Sequence, residues 1–396
     1  MDSNADRRRP QDPAITVESV LSAPLYRDVL AVAGRDLPWD ALRGQTVLIT
    51  GAAGLIGRYL TLALLTRNDL YQNDVTVIAM VRDARKAQAA FGRLLERADL
   101  TLALQDVCAP FDALPMANFV IHAASPASAR QYENTPVDTL AANTVGTHNV
   151  LSYAVRCASE SVLCVSSLKV YGTVTDGSES LGEETLGRLD FTAYQNCYAE
   201  GKRVMETLCA AYNKQFDLPV KIARPAYIYG PCGMDDDRVW AQFIANAIRH
   251  EDILLKSNGA AYRSFCYVAD TAAALLTVLL LGEDMLPYNV ADKASDVTIR
   301  ELATVVAEAI PERGLALQFE HPADEAEPKE QPEAPTPEIL DNVRLLSLGW
   351  TAQVGLSEGI RRTIAIMEEG LAAKEENSSV KAENFSSKNE GSDAQA

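Results

Sequence analysis

The sequence predicts an α/β fold, a doubly wound parallel sheet followed by a smaller α/β domain. Three patterns carry that expectation. Short apolar, β-rich runs alternate with longer stretches of helical periodicity between about residues 45 and 230, the pattern of a parallel sheet covered on both faces. A glycine-rich turn joins the first run to the first helical stretch. Beyond residue 230 the alternation loosens into helices separated by short strands.

The elements follow in order. The start, MDSNADRRRP, is read as disordered; its three arginines have no apolar stretch behind them, so it does not read as a secretory signal. Ile15 to Leu42 mixes apolar and charged residues at helical spacing and is expected to pack on the body. QTVLIT (45–50) is the first strand, LIGRYLTLALLTR the helix after it, and VTVIAMV (75–81) the second strand. A helix, ARKAQAAFGRLLERA, precedes the strands TLALQDV (101–107) and NFVIHAAS (118–125). The helix TLAANTVGTHNVLSYAVRCA then leads to SVLCVSS (161–167). An amphipathic segment from Tyr194 to Phe216 leads into VKIARPAYIYG (220–230), read as one strand. Helices are expected at Val239–Arg249, Asp270–Leu281, Ile299–Ile310 and Leu356–Glu369. HPADEAEPKEQPEAPTPE (321–338), rich in proline and acid, reads as a loop. From about Ala372 a polar tail is expected to be disordered.

The 396 residues suffice for one large or two modest domains. A content of 47% hydrophobic and 23% charged residues is that of a globular protein. The net charge of −18 repels phosphates, so neither nucleic acid nor an anionic membrane is an expected partner. The longest apolar run, Thr271 to Leu281, is shorter than the roughly 20 residues that span a bilayer. Seven scattered cysteines form no CxxC pair, which predicts reduced thiols in a cytoplasmic protein and no metal site.

Thr50-Gly51-Ala52-Ala53-Gly54-Leu55-Ile56-Gly57 gives G-x-x-G-x-x-G between a predicted strand and a predicted helix. Gly51 permits the tight turn, Gly54 lets the backbone approach a pyrophosphate, and Gly57 lets the helix pack closely. The helix N-terminus then offers amide hydrogens and a positive dipole end to phosphates. In this context the motif predicts a Rossmann-type dinucleotide-binding domain. Arg82, at the end of the second strand with Lys86 a turn later, favours the 2′-phosphate of NADP; Asp83 is set too far along for the ribose hydroxyls of NAD. The choice between NAD and NADP stays open. Asp106 closes the next strand, where an acid reaches the adenine amine. The expected organisation is an N-terminal extension over 1–43 and a Rossmann domain over 44–230. A mainly substrate-binding part follows over 231–370, then the tail over 371–396.

Tyr198 and Lys202 stand at i and i+4 on one helix face. A free phenol has a pKa near 10; a nearby ammonium and a positive nicotinamide lower it, so the phenolate can act as a base near neutrality. Ser167, about thirty residues earlier at a strand end, would steer the same substrate oxygen.

With TGAAGLIG, HAAS (122–125), Asn143 in NTVGTHNVL, SSLKVYG, YAEGK, RPAYIYGP (224–231), RSFCYVAD (263–270) and LGWTAQVGLSEGIRRTI (348–364) in order, the chain resembles extended short-chain dehydrogenase/reductases of the nucleotide-sugar epimerase/dehydratase kind. The resemblance covers roughly residues 44 to 370. HAASPAS is similar especially to the branch of UDP-glucuronate decarboxylases and dTDP-glucose 4,6-dehydratase-like proteins, which implies tightly bound NAD. It implies cofactor contacts from Gly51, Ala53, Gly54, Leu55, Ile56, Gly57, Arg82, Asp106 and Val107. Further along, Ala123, Ala124, Ser125, Asn143, Tyr198, Lys202 and Arg224 are implied in the same role. Ser125, Ser167, Lys169, Tyr227, Arg238 and Arg263 are implied substrate contacts, Arg263 by gripping the nucleotide diphosphate or a glucuronate-derived group. A homodimer joined through two helices of the Rossmann domain is implied as well.

The implied chemistry runs through a 4-keto sugar. Tyr198 takes the proton of O4 while C4 gives hydride to the nicotinamide; Ser167 holds that oxygen, and Lys202 holds the ribose and tunes Tyr198. Decarboxylation of UDP-glucuronate is the leading expectation, with 4-epimerisation and 4,6-dehydration as alternatives. A non-catalytic dinucleotide-binding protein and a simple NADPH-dependent carbonyl reductase stand as different classes. Two residues depart from the family. Lys169 stands where dehydratase and decarboxylase relatives often carry Glu, which removes an acid/base; it either attracts a substrate carboxylate or points away. Tyr227 stands where Asn or His is usual.

Overall fold

Seven strands pair in parallel in one sheet: β1 (Thr46–Thr50), β2 (Thr76–Val81), β3 (Leu100–Leu104), β4 (Phe119–His122), β5 (Ser161–Val165), β6 (Val220–Pro225) and, on the far edge, β10 (Pro287–Val290). The spatial order is β10-β6-β5-β4-β1-β2-β3, with the crossover between β1 and β4 that doubly wound folds place beneath a ligand. Short strands make two small sheets: β7 (Tyr227–Tyr229), β9 (Tyr262–Tyr267) and β11 (Asp296–Thr298) in one, β8 (Ile253–Leu255) and β12 (Leu317–Phe319) in the other. This computed structural model describes residues 15–320 and 338–390. The expected disordered start and most of the proline-rich loop lie outside the described residues.

The apolar runs form central strands because both of their faces are covered. Val47, Ile49, Val77, Ala79, Ile121 and Leu163 enter one core. Leu48, Ile78, Val120, Val162, Cys164 and Ile222, one residue out of phase, enter the other. That two-residue period leaves no face for polar side chains. Helices Leu55–Tyr71, Pro136–Cys157, Cys197–Phe216 and Val268–Leu281 connect and cover the sheet.

Three expectations are corrected. VKIARPAYIYG is two strands: β6 ends at Pro225, which has no N–H to extend the ladder, and β7 leaves to pair with β9. The strands that carry Asp106 and Ser167 stop early, at Leu104 and Val165, so both residues sit on the loops that follow. The last helix, Leu356–Glu390, continues through most of the stretch read as a disordered tail; that stretch is dense in Ala, Glu and Lys, good helix formers. Residues 391–396 lie outside the described ones.

The N-terminal segment is wedged between the two halves of the chain. Helix Ala23–Ala33 buries Leu25, Val29 and Val32, as its spacing predicts. It also buries Asp28 completely. Asp28 Oδ2 accepts hydrogen bonds from Tyr59 Oη (3.0 Å) and Tyr267 Oη, and Oδ1 accepts one from Arg362 Nη1 at 3.0 Å. Those donors come from the first Rossmann helix, from β9 and from the final helix. Asp28→Ala takes this acceptor from both tyrosine hydroxyls in a dry interior, while Arg362 keeps Glu358 at 2.8 Å, and the expected cost is about 3 kcal/mol. Urea unfolding checks it, with Arg27→Ala as the neighbour that should change little.

Candidate active site

The glycine turn sits at the carboxyl edge of the sheet. Gly51 has φ +70°, and a Cβ there would come within 2.9 Å of Ala124 backbone atoms. A Cβ on Gly57 would lie 2.4 Å from the Gly51 carbonyl oxygen. Helix Leu55–Tyr71 begins at Gly54 with no side chain capping it, so its first amide hydrogens and dipole end face the turn, as a pyrophosphate site needs. The cradle fits a dinucleotide.

A buried chain of side chains that sequence reasoning missed holds this edge together. Thr147 Oγ1 donates to the Asn143 carbonyl (2.7 Å) and so accepts from His122 Nε2 at 3.2 Å. His122 Nδ1 then accepts from Thr50 Oγ1 at 2.9 Å, and Thr50 Oγ1 accepts from the Ala124 amide at 3.1 Å. Burial, aided by the charge of Lys202, drives the His122 pKa down to about 3, so the ring stays neutral in this tautomer. The available signal was Thr50 and His122, polar residues closing otherwise apolar strands.

Around the turn, Asp83 caps helix Ala84–Phe91 by accepting from the Arg85 amide at 2.8 Å. Arg82 Nη1 lies 3.5 Å from Asp106 Oδ2, with both side chains exposed. Asp106 Oδ1 accepts from the Cys108 amide at 2.8 Å, beside Val107. Its pKa is lowered against the opposing effect of burial, by that bond and by Arg82. Arg82 thus faces a carboxylate, which weakens its case as a 2′-phosphate ligand.

Asn143 Oδ1 accepts from Ser125 Oγ at 3.0 Å, and Asn143 Nδ2 donates to the Thr139 carbonyl at 2.8 Å. Gly201 allows helix Cys197–Phe216 to approach Asn143; a Cβ there would come 2.9 Å from the Asn143 Cβ. That approach places Tyr198 and Lys202. Lys202 is buried, and its Nζ donates to the Val165 carbonyl at 2.7 Å. Burial pulls its pKa down to about 8. The Tyr198 ring stacks on Tyr132 with centroids 4.8 Å apart. Burial raises the Tyr198 pKa, while a hydrogen bond from Ser167 and the charge of Lys169 work against the rise. Lys202 Nζ lies 5.7 Å from the centre of the Tyr198 ring, and Lys169 adds a second cation beside the phenol. Ser167 Oγ also accepts from the Lys169 amide at 3.2 Å, turning the chain sharply after β5.

Lys169 and Tyr227, the two departures, meet. Lys169 Nζ donates to Tyr227 Oη at 2.9 Å and to Glu338 Oε1. Tyr227 Oη donates to Glu338 Oε2 at 2.5 Å. Arg263 lies over the Tyr227 ring at 4.7 Å, with Nε 3.3 Å from Glu338 Oε2. A cleft of about 300 Å³ opens here, lined by Tyr132, Lys169, Thr173, Asn196, Tyr198 and Glu338 among others. Glu338 was not foreseen, because one acid among many in a proline-rich stretch carries no local signal. Two other arginines are placed differently. Arg238 pairs with Asp236 at 2.6 Å and lies over Trp240. Arg224, expected at the cofactor, binds Glu206 at 2.6 and 2.9 Å, Tyr171 Oη at 3.1 Å and the Glu183 carbonyl at 2.7 Å. With these bonds made, Arg224 braces the protein behind the site.

Lys202 yields a pH prediction. Its folded pKa is about 8, below the unfolded value near 10.4, so between these values the unfolded chain binds more protons. Stability therefore gains from this group as pH rises through that window. Unfolding free energies of the wild type and Lys202→Met, measured from pH 7 to 10.5, should show this upward slope only in the wild type. Gly57→Ala should abolish retention of the dinucleotide by the purified protein, read from its absorbance spectrum.

Comparison with known proteins gives a consistent result. The NAD dependent epimerase/dehydratase family matches residues 47–291. UDP-glucuronic acid decarboxylase 2 of Arabidopsis thaliana is 32% identical over 338 residues, 85% of this chain and 71% of that protein. UDP-glucuronic acid decarboxylase 5 of the same plant is 33% identical over 325 residues, 82% of this chain and 88% of that protein. In fold, the chain is similar to UDP-glucuronic acid 4-epimerase from Bacillus cereus, solved with UDP-glucuronic acid and NAD: TM-score 0.67, 19% identity, 82% of this chain and 99% of that one. By its glycine cradle, its Ser167, Tyr198 and Lys202, and this match, the chain belongs to the NAD dependent epimerase/dehydratase family.

Proposed function

We propose that the chain is an NAD-dependent nucleotide-sugar enzyme working through a 4-keto sugar, and that it decarboxylates UDP-glucuronate. The observation that carries this reading is the shared cleft: Tyr198 lies in it beside Lys169, with Arg263 against the Tyr227 ring. The activity of the UDP-glucuronic acid decarboxylase relatives supports it. NAD in the glycine cradle would accept the C4 hydride and return it. NAD is favoured over NADP because a 2′-phosphate near Arg82 would meet the carboxylate of Asp106.

The chain's own residues do the rest. Ser167 and Tyr198 bracket the substrate O4, and Tyr198 carries its proton. Lys169 favours the phenolate through its charge. Once C4 is a ketone, the C6 carboxylate is a β-keto acid. Its C5–C6 bond breaks with the electron pair moving toward the C4 oxygen, where the Ser167 and Tyr198 donors stabilise the enolate. C6 leaves as carbon dioxide, and C5 then takes a proton from solvent, which gives the 4-keto pentose. A second reading, 4-epimerisation, is favoured by Lys169 itself, since that reaction needs no acid/base at the position.

The same reading extends to assembly and place. Val137, Leu140 and Val145 on one helix and Val204 on another are exposed apolar side chains of Pro136–Cys157 and Cys197–Phe216. We read them as a homodimer face. Seven free thiols suit the cytoplasm. No helix among the described residues is long and apolar enough to cross a membrane.

The test is to follow UDP-glucuronate by proton NMR with the purified protein. UDP-xylose or its 4-keto precursor supports the proposal, and UDP-galacturonate replaces it with the epimerase reading. Tyr198→Phe should lower kcat by about 10²–10⁴-fold. Val145→Glu should shift the light-scattering mass from dimer to monomer.

A further inference from the structure

Lys169, Tyr227 and Arg263 surround the carboxylate of Glu338. Lys169 Nζ and Tyr227 Oη both donate to it, and Arg263 stands 3.3 Å away. The recess is therefore a built carboxylate site, already occupied by one of the protein's own side chains. It opens on the cleft that holds Tyr198.

The electrostatics agree with the geometry. Burial of Glu338 opposes its charge, but Lys169 and Tyr227, with Arg263, outweigh this and lower its pKa. Burial opposes the charge of Lys169 as well, yet Tyr227 and Glu338 raise its pKa overall. Near neutral pH the recess holds an ammonium, a guanidinium and a carboxylate. Its net positive charge attracts a second carboxylate, while its existing one stands in the way.

The backbone beneath Glu338 is pinned. Its amide donates to the Tyr262 carbonyl (3.2 Å), its carbonyl accepts from the Ser264 amide (3.0 Å), and the Ile339 carbonyl accepts from the Leu181 amide (2.7 Å). Leu340 N donates to Ser264 Oγ at 3.0 Å. Any exchange must come from the side chain alone, which is 29% exposed and has solvent to turn into.

We propose that this recess is the subsite for the sugar's C6 carboxylate and that Glu338 competes for it, setting the discrimination between a uronate and a neutral nucleotide sugar. The inference rests on the proposed reaction for the identity of the carboxylate. A uronate must displace Glu338; a sugar with a C6 hydroxymethyl need not. Glu338→Gln keeps the shape and an acceptor for Lys169 and removes the competing charge.

Calorimetric titration of NAD-loaded protein in a Tyr198→Phe background, where ligand is not consumed, tests this with UDP-glucuronate and UDP-glucose. The ratio of uronate to glucose affinity should rise about ten-fold or more with Glu338→Gln. It should fall with Lys169→Gln, which also serves where Glu338→Gln does not fold. An unchanged or lower ratio in a folded Glu338→Gln protein overturns the inference, as does an unchanged ratio in Lys169→Gln. Turnover by the wild type separates the two claims. Conversion of UDP-glucuronate to UDP-xylose with an unmoved ratio removes only the role of Glu338. A raised ratio without conversion removes only the proposed reaction.

Discussion

The active site depends on two places where a glycine lets a neighbour come too close for a side chain. At the first, Gly51 meets Ala124; at the second, Gly201 meets Asn143. Between them runs a continuous path: Ala124, then Ser125, whose hydroxyl bonds Asn143, then the helix that carries Tyr198 and Lys202. The phosphate cradle and the proton-transfer tyrosine are thus held in fixed relation by steric contact. A methyl group at either glycine would push one away from the other. His122 reinforces the first approach by joining Thr50 to Thr147 as a neutral, fully bonded ring. It costs little in a buried place because both of its nitrogens have partners.

The wall facing Tyr198 obeys a different constraint, that of charge. Lys169 alone beside a buried phenol would be a desolvated cation. With Tyr227 and Glu338 in contact it stays protonated, and its field opposes the burial that makes the phenol reluctant to ionise. The departures at 169 and 227 are therefore one change and not two, and Glu338 completes it. A partly exposed ion pair of this kind adds little net stability. What it adds is a defined charge at one end of the cleft, where a substrate's own charge is read.

The parts of this architecture that were legible in the sequence are those with local signatures. The strand–glycine turn–helix unit and the alternating apolar runs needed only neighbours in sequence, and Val239–Arg249 falls on the expected residues. Tyr198 and Lys202 stood out by their four-residue spacing only together with Ser167 about thirty residues earlier and the glycine turn before it. Boundaries failed where tertiary pairing decides them. Pro225 divides a continuous β-rich run because its second part pairs with β9, and nothing within the run announces that partner. The Glu206 partner of Arg224 was not legible, because an arginine at a strand end looks the same whether it meets a phosphate or a carboxylate. Glu338, 169 residues from Lys169, was beyond any local pattern.

The Pro225 division links the fold to the chemistry. Had the chain continued straight as one strand, Tyr227 would lie on the main sheet. By leaving after β6 and pairing with β9, the strand brings Tyr227 beside Arg263 and the segment that carries Glu338. These belong to the second half of the chain, whereas Ser167 and Tyr198 belong to the first. The cleft is therefore a junction, and its geometry depends on how firmly the halves are held. Asp28 joins a Rossmann helix to β9 and the last helix. Asp270, at the start of Val268–Leu281, binds Arg35 and the amides of Gln353 and Val354. Both carboxylates are buried and tie the N-terminal segment, the sheet helices and the chain's end together. With the junction held this way, the backbones that carry these charges stay in fixed relation while the Glu338 side chain keeps room to turn. A carboxylate entering the cleft would meet a preformed field, which is the physical basis of the proposed selectivity.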